Sequence, residues 1–353
     1  MAWGLRTTVW VLLSLVLLIG GGAAGTVWYG KAQLQPVEGT GEEVEVEIPS
    51  GSSLQDISRI LQEKSLVRNA SVFRFYARQQ GMASQLQAGT YRFRQGDTVD
   101  EILQKMQRGE VYLPTVRFTL PEGLRVDQVA VRLEEAGVCP AEAFLEAVQS
   151  PQWAERYPFI GQIESAEGMN WLLEGYLFPE TYEMELGVTP NQVVDRLLRQ
   201  FQSMLTEERL RKLEEQSLSI HQWVTMASLV EREAAVAHER PLIARVMFNR
   251  LEKGMPLQID ATVQYALGEH QERLTFKDYE VDHPYNTYQR VGLPPGPIAS
   301  PGKDSLEAVL NAPEHKFLFY VTKNDGSQEH LFAENYAQHQ RNIAASRSNQ
   351  KSD

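Results

Sequence analysis

The sequence contains little of what metal, disulfide or nucleic-acid chemistry requires. Cys139 is the one cysteine among 353 residues, which excludes an internal disulfide framework and any cysteine-based metal cluster. The seven histidines are scattered and none falls in an HExxH or comparable ligand spacing, so the residues predict no metal centre. Acidic side chains outnumber basic ones, and the net charge of -12 argues against nucleic acid or an anionic surface as the main partner.

Charge is also missing from one N-terminal stretch, between Arg6 and Lys31. Residues 9–19 within it are almost wholly aliphatic, and the run is long enough to cross a bilayer, which needs roughly 20 apolar residues. Aromatic residues of the kind found at membrane interfaces lie near its ends: Trp10, Trp28 and Tyr29. Residues 1–31 are therefore predicted to form a cytoplasmic tip and a transmembrane helix.

A cleaved signal peptide is the alternative for this segment, because residues 20–25 are small and Ala23-Ala24-Gly25 could serve a peptidase. Apolar and aromatic character resumes at residues 27–29, which favours an uncleaved anchor. Both interpretations place the chain from about residue 32 outside the cytoplasm. We therefore expect a single-pass protein of the cytoplasmic (inner) membrane, with its bulk on the periplasmic or extracytoplasmic side.

After a Pro/Gly/Glu-rich linker over residues 32–43, one pattern recurs three times. A short strand leads to a glycine turn, and apolar residues follow three, six and ten positions later, as on one face of a helix. The glycines are Gly51, Gly96 and Gly123, and Ser52, Ser53, Asp97 and Thr98 supply N-cap chemistry for the first two helices. The pattern predicts an α+β fold of short sheets with packed helices, although so common a motif can also recur by chance.

The middle of the chain is rich in aromatic residues. Glu174 to Tyr182 interleaves rings with carboxylates, and because rings stack on sugar faces, Glu174 and Tyr176 are candidates for a saccharide groove. A purely structural corner is the alternative, and these residues alone favour it. One charged amphipathic helix is predicted over residues 191–218.

The most informative segment is the helix that contains Glu231. Trp223, Met226, Ala227 and Val230 recur at helical spacing, so one face of this helix should be buried. Glu231 adjoins that face, where partial desolvation would favour a protonated carboxyl able to donate and accept a proton. Most glutamates in such a position are nevertheless solvated or paired, so this feature alone does not establish catalysis.

The residues after Glu231 predict a second helix that begins near Pro241 and ends near Gly254. Residues 292–302 are so rich in proline and glycine that they should form a stiff loop able to hold one wall of a cleft. Asp304-Ser305 is predicted to cap a further helix, and a hairpin is predicted across residues 324–326.

Taken in order, these C-terminal segments resemble the YceG-like family of endolytic murein transglycosylases. The matching segments are Ser228 to Glu233, Asn249-Arg250-Leu251, Leu257 to Thr262, Tyr285-Asn286-Thr287-Tyr288, Gly292 to Ile298 and His330-Leu331-Phe332. Two positions depart from the family: Ile259 stands where many relatives carry Ser or Thr, and Ser300 where Asn is frequent. The resemblance extends from the anchor to about residue 345.

The resemblance implies a single-pass membrane enzyme that cuts peptidoglycan glycan strands, with Glu231 as the catalytic acid and base and with no metal or cofactor. It also implies a LysM-like subdomain over residues 44–110, an intermediate α+β region over 111–218, a mixed α+β catalytic domain over 219–345 and a polar tail over 346–353. Peptidoglycan synthases are the partners that it suggests. Further candidates for substrate binding are Gln258, Asp260, Asn286 and Tyr288, and for each a role in holding a loop is an equal alternative.

Two other functions remain open from the residues. Asp260 could act with Glu231 as a second catalytic carboxylate, which would make the enzyme a hydrolase with reducing-end products. The chain could also be a membrane-anchored scaffold that binds glycan without cleaving it, with Glu231 at the edge of a core.

Overall fold

The chain divides into two units, Met1–Pro114 and Thr115–Asp353, in the computed structural model. The structure describes residues 28–39, 41–268, 271 and 273–350. The predicted transmembrane helix lies almost wholly outside these residues. Within the described part of the chain, no helix has the length and apolarity needed to span a membrane.

From residue 41 to its end, the first unit contains one small antiparallel sheet and three helices. Strand β1 (Glu43–Ile48) pairs with β2 (Gly89–Arg94), and Val46 lies opposite Tyr91. The helices are α1 (Leu54–Glu63), α2 (Ala70–Gln79) and α3 (Val99–Gln107). Alternate strand residues and one face of each helix build a single core that includes Ile57, Phe73, Phe93 and Ile102.

The predicted strand–turn–helix units are confirmed in this first unit. Strands β1 and β2 are each followed by a turn and then by a helix, α1 and α3 respectively. Ser53 and Thr98 are the N-caps of these two helices, and each forms a capping box with an acidic residue three positions later. These side chains satisfy backbone N–H groups that the first helical turn leaves without partners.

The second unit begins with the third strand–turn–helix unit. Strand β3 (Thr115–Thr119) precedes α4 (Val126–Glu135), and it pairs with β4 (Thr181–Glu185) rather than with the first sheet. Between α4 and β4 lie α5 (Ala141–Val148), α6 (Gln152–Arg156) and α7 (Pro158–Gly161). The residues predicted as an intermediate region and those predicted as a catalytic domain contribute to one common core.

The rest of the second unit is mainly helical. Its remaining helices are α8 (Pro190–Gln202), α9 (Glu207–Glu215), α10 (Ile220–Glu233), α11 (Arg240–Glu252), α12 (Asp260–Leu267), α13 (Lys303–Leu310) and α14 (Tyr336–Gln350). The predicted hairpin is confirmed as β5 (Phe319–Thr322) paired with β6 (His330–Ala333). The mixed α+β class is confirmed.

Two local predictions are wrong. The single helix predicted over residues 191–218 is two helices, α8 and α9, because Thr206 accepts a hydrogen bond from Arg209 N and starts a new helix. Asp304-Ser305 does not cap α13, whose N-cap is Gly302. The Ser305 hydroxyl instead donates to a carboxylate of α10.

Candidate active site

Helix α10 is the central element of the site. Its N-terminus is fixed by a capping box between Ser219 and Gln222, and eight consecutive residues from Trp223 to Val230 are buried. The Trp223 indole N–H donates to Leu306 O at 2.9 Å, which ties α10 to α13. Because these eight buried residues are closely packed on all sides, the last turn of the helix, and therefore Glu231, is held in one orientation.

Glu231 accepts two hydrogen bonds from the start of α13. Gly302 N donates to Glu231 Oε2 at 3.0 Å, and Ser305 Oγ donates to the same oxygen at 2.7 Å. Arg240 Nη2 lies 3.6 Å from Glu231 Oε1, and Arg240 Nε also donates to Ser305 Oγ. The Glu231 side chain is 8% exposed, so its carboxyl group is held between fixed donors while a small part of it reaches solvent.

The proline-rich loop over residues 292–302 is fixed against α10. Ile298 N donates to Ser228 Oγ, and His221 Nε2 donates to Pro295 O at 2.8 Å. Two backbone hydrogen bonds join the loop to the turn after β3: Gly123 N donates to Ser300 O, and Ser300 N donates to Leu124 O. The loop is therefore a rigid wall beside Glu231, as its composition predicts.

Two cavities lie along α12, and Ile298 of this wall lines the smaller one. One of about 330 Å³ is lined by Arg232, the neighbour of Glu231 in sequence, together with Arg125, Gln128, Ala261, Gln264, Tyr265 and Ile298. The other, of about 630 Å³, is lined by Asp260, Gln264, Arg273, Leu274, Thr275, Phe276 and Tyr279. Because Gln264 lines both, the cavities adjoin each other along α12. Their mixture of amide, guanidinium, carboxylate and aromatic groups suits a sugar chain.

A second polar cluster surrounds Glu233. The Tyr320 hydroxyl donates to Glu233 Oε2 at 2.8 Å. Burial raises the pKa of Glu233, and the negative charge of Asp260 raises it further. Asp260 in turn accepts hydrogen bonds from the hydroxyls of Tyr288 at 2.5 Å and Tyr279 at 3.3 Å. This cluster connects α10 with α12 and with the loop that follows α12.

The comparisons with known proteins give the family. Residues 46–345 match the model of the YceG-like family. The chain belongs to the YceG-like family. This confirms the resemblance on which the sequence prediction rests.

Curated relatives of this YceG-like chain carry the name endolytic murein transglycosylase. The protein of Bacillus subtilis (strain 168) is 34% identical over 336 residues, which is 92% of this chain and 89% of that protein. The protein of Streptococcus pneumoniae serotype 2 (strain D39 / NCTC 7466) is 32% identical over 94% of this chain, and the chain spans 64% of that longer protein. A crystal structure of a YceG-like protein from Listeria monocytogenes has a TM-score of 0.59 and 35% identity, over 85% of this chain and 98% of that one.

Of the residues predicted to bind substrate in this YceG-like chain, Asp260, Gln258 and Tyr288 lie together. Asp260 and Gln258 are exposed near the start of α12, and Tyr288 is half-buried against Asp260. Gln258 has a left-handed backbone with φ of 53°, which is unusual for a residue other than glycine. Asn286 is fully buried, and its amide nitrogen donates to Tyr279 O and Val281 O. Its visible role is therefore to hold the loop.

Glu174 and Tyr176 lie in the core of the second unit. Glu174 is 2% exposed and accepts hydrogen bonds from Val126 N and the Tyr265 hydroxyl. Burial raises the pKa of Glu174 to about 8. The Tyr176 ring is fully buried, and its hydroxyl forms a hydrogen bond with His221 Nδ1 at 3.0 Å. Their connection to the site is indirect: Tyr265 lines the smaller cavity, and His221 holds the proline-rich loop.

Three residues at the site were not predicted to belong to it: Glu122, Arg240 and Ser305. Ser305 was predicted as a cap, and the residue type alone cannot show whether its hydroxyl reaches backbone or carboxylate. Glu122 lies in the glycine turn after β3, far from Glu231 in sequence. The sequence does show that Glu122 stands beside a turn glycine, Gly123, but only the tertiary fold brings this carboxylate close to α10. No group of three or more His, Cys, Asp or Glu residues is arranged to hold a metal ion among those that the structure describes.

Proposed function

We propose that this chain is a peptidoglycan lytic transglycosylase that cleaves the bond between N-acetylmuramic acid and N-acetylglucosamine within glycan strands. Support comes from membership of the YceG-like family and from relatives named endolytic murein transglycosylases over most of the chain. The geometry around Glu231 adds a chemical reason. One carboxyl group is fixed by Gly302, Ser305 and Arg240, and the next residue along the chain, Arg232, lines a cavity with polar and aromatic groups that suit a sugar.

A single carboxyl group is sufficient for this reaction. Glu231 begins protonated and donates its proton to the glycosidic oxygen as the bond from C1 of N-acetylmuramic acid to that oxygen breaks. The C6 hydroxyl of the same sugar then attacks C1, and the Glu231 carboxylate accepts the hydroxyl proton. A 1,6-anhydro ring forms, the leaving strand carries a free hydroxyl, and no water is consumed. Each step moves one proton, so the scheme needs no cofactor.

The fixed position of Glu231 is the observation that carries this proposal. General acid catalysis requires a donor within hydrogen-bonding reach of the oxygen that it protonates. A glutamate side chain that is free to rotate would rarely satisfy that geometry. In this site the hydrogen bonds from Gly302 and Ser305 hold Glu231 Oε2, so that Glu231 Oε1 points towards Arg240. Hydrogen bonds that tighten this geometry favour the transition state.

Product analysis tests the proposal. Purified residues 32–353 are incubated with peptidoglycan, and the released fragments are identified by mass spectrometry. We expect anhydro-ended fragments from the wild type, none from Glu231→Gln, and the wild-type amount from Glu214→Gln, which neutralises an exposed carboxylate on α9. Circular dichroism checks that the variants are folded.

Other products would overturn the proposal in defined ways. Reducing-end fragments that disappear in Asp260→Asn would identify a two-carboxylate hydrolase. Absence of cleavage together with retained binding to insoluble peptidoglycan would identify a glycan-binding scaffold. Internal cutting is distinguished by fragment length, because an endolytic enzyme releases long anhydro-ended strands early, whereas an exolytic one releases disaccharides.

We further propose that residues 1–31 anchor the enzyme in the cytoplasmic membrane, that residues 44–110 form a LysM-like glycan-binding unit, and that peptidoglycan synthases are partners. The uncharged stretch between Arg6 and Lys31 supports the anchor. Protease added to intact spheroplasts should remove the bulk of the chain if it lies outside the cytoplasm, and protection from protease would contradict this orientation. Crosslinking in living cells tests the synthase partners.

A further inference from the structure

Phe276, in the loop that follows α12, has a ring that is 92% exposed. It is the most exposed large apolar side chain in the part of the chain that the structure describes. Single exposed apolar residues are common on protein surfaces, so exposure alone assigns no role to this ring. The turn that carries the ring and the groups around it provide the reason to assign one.

The turn that carries this ring is held by hydrogen bonds at both ends. The Asp278 carboxylate accepts from Thr275 N and from Thr275 Oγ1, both at 2.7 Å, and Asp278 N donates to Thr275 O at 3.0 Å. Just after the turn, Tyr279 O accepts from the side-chain amides of Asn286 and Gln289, both at 3.0 Å. The ring is therefore presented to solvent on an ordered backbone, and a ligand that binds it needs to order little of the protein.

Hydrogen-bonding groups lie beside the ring. Phe276 lines the cavity of about 630 Å³ together with Asp260 and Gln264. Asp260 is exposed, and the hydroxyls of Tyr279 and Tyr288 hold its carboxylate in place. A carboxylate offers about four acceptor positions, so Asp260 can still accept hydrogen bonds from a ligand. The cavity thus places an apolar ring and a fixed acceptor next to each other.

A pyranose ring has the chemistry that matches this cavity. Its faces carry C–H groups that pack on an aromatic ring, and its edge carries hydroxyl groups that need acceptors. The side chains of Asp260 and Arg273, which both line the cavity, have opposite charges, and this balance suits a ligand without net charge. A protein partner would be expected to meet a broader apolar patch than one ring among mostly polar groups.

The position of this cavity connects it with the proposed reaction. Gln264 also lines the smaller cavity, and so does Arg232, which follows Glu231 in the sequence. We propose that Phe276 is a stacking platform for an N-acetylglucosamine ring of the glycan strand, with Asp260 accepting hydrogen bonds from the hydroxyls of that ring. The platform binds the strand away from the bond that is cleaved, so it favours long strands over short fragments. This inference rests on the proposed function and deepens it.

Steady-state kinetics on glycan strands of defined length test the platform. Phe276→Ala should raise KM for long strands about tenfold and leave kcat unchanged, because burying one face of a phenyl ring contributes at the lower end of what full burial gives. The rise should be smaller for the shortest fragments that are cleaved. Phe276→Tyr, which keeps a flat ring, should retain the wild-type KM, and so should Leu186→Ala, which truncates another exposed apolar side chain of the second unit. An unchanged KM in Phe276→Ala, or a loss confined to kcat, overturns the platform.

A binding measurement without cleavage separates this inference from the proposed reaction. In the full-length Glu231→Gln protein, Phe276→Trp adds an exposed indole, and its fluorescence should shift to shorter wavelength when glycan strands freed of stem peptides are added. The control Leu186→Trp, in the same background, should not respond. A response only to strands that carry stem peptides, or no response at all, overturns the platform, while anhydro ends released by the wild type would still support the proposed function. If the indole responds but the wild type releases no anhydro ends, the platform is supported and the proposed function is overturned.

Discussion

Ser305 and Ser300 are both buried, but the hydroxyl group of Ser305 forms hydrogen bonds and that of Ser300 forms none in the described structure. Ser305 Oγ donates to Glu231 and accepts from Arg240 Nε, whereas Ser300 Oγ is buried without a hydrogen-bond partner in the described structure. One hydroxyl therefore orients the proposed acid, and the other only occupies space.

These surroundings predict different effects of the same substitution. Ser305→Ala should lower kcat for glycan cleavage by about 10- to 100-fold with little change in KM, because Glu231 loses a donor that fixes its orientation. Ser300→Ala should leave kcat unchanged and lower stability by less than about 0.5 kcal/mol or raise it, because an unsatisfied buried hydroxyl is removed. Steady-state kinetics and urea unfolding measure both. Equal kinetic losses in the two variants would contradict the assigned role of Ser305.

Glu174 should make the stability of the second unit depend on pH. Its pKa is about 8 in the folded protein against an ordinary value of 4.5, so between these values the folded chain holds a proton that the unfolded chain has released. Stability therefore falls as pH rises from about 4.5 to about 8, by at most about 1.4 kcal/mol per pH unit, and this contribution is constant outside that range. Arg125 and Asp127 lie near Glu174 and act in opposite directions.

Glu174→Gln removes this titration while it keeps an acceptor for Val126 N. The free energy of unfolding, measured in urea at pH 5, 6.5 and 8, should fall less steeply for the variant than for the wild type. Glu164→Gln, an exposed control, should follow the wild type. Parallel curves for wild type and Glu174→Gln would show that the buried carboxyl does not retain its proton.

At the scale of elements, a comparison of two glycines distinguishes the requirement for a backbone conformation from the requirement for space. Gly175 and Gly187 both have φ of 84°, a left-handed conformation that costs other residues roughly 1–2 kcal/mol. A Cβ on Gly187 would meet nothing within 4 Å, whereas one on Gly175 would meet Pro297 and Val224. Gly175 thus lets the aromatic segment approach both the proline-rich loop and α10.

Alanine substitutions at these two glycines should therefore differ. Gly187→Ala should destabilise the protein by about 1–2 kcal/mol without affecting catalysis. Gly175→Ala should destabilise it by a further 1–3 kcal/mol from overpacking and should also reduce cleavage, because Pro297 belongs to the wall beside Glu231. Urea unfolding and product release measure the two effects. Identical losses of stability would mean that the Pro297 contact relaxes freely.

The elements that the sequence predicted correctly are those with local signals. The side chains of Ser53 and Thr98 predicted where two helices begin, because serine and threonine are favoured N-caps, and the turn residues at 324–326 predicted the hairpin. The break between α8 and α9 was missed because apolar spacing continues across it while Thr206 begins a new helix. Ser305 was assigned to a cap because the carboxylate that binds its hydroxyl is 74 residues away.

For the whole molecule, the two units have separate cores. Phe93 is fully buried in the first core and Phe201 in the second, and no residue belongs to both. We expect two unfolding transitions in urea. Phe93→Ala should move one transition and Phe201→Ala the other, each by about 3–5 kcal/mol. Circular dichroism together with tryptophan fluorescence distinguishes them in purified residues 32–353, because the tryptophans of that segment, Trp153, Trp171 and Trp223, all lie in the second unit. A single transition moved by both substitutions would contradict independent folding.

The sequence could predict the class of fold and the central glutamate, but not the complete site. Periodicity and turn chemistry are local, whereas the contacts among Glu122, Gly302 and Glu231 join three distant parts of the chain. Tyr176, predicted to meet substrate, is instead fully buried. Whether an aromatic residue faces a groove or a core depends on what packs over it, and that is a property of the assembled fold.

Two of the hydrogen bonds that attach the proline-rich loop to α10 use backbone N–H groups of the loop. Ser228 and Glu231, one helical turn apart, receive the N–H groups of Ile298 and Gly302. The two spacings must match, so an insertion or deletion of one residue between positions 298 and 302 would detach one of the two contacts. During evolution this stretch can therefore exchange residue types far more readily than it can change length.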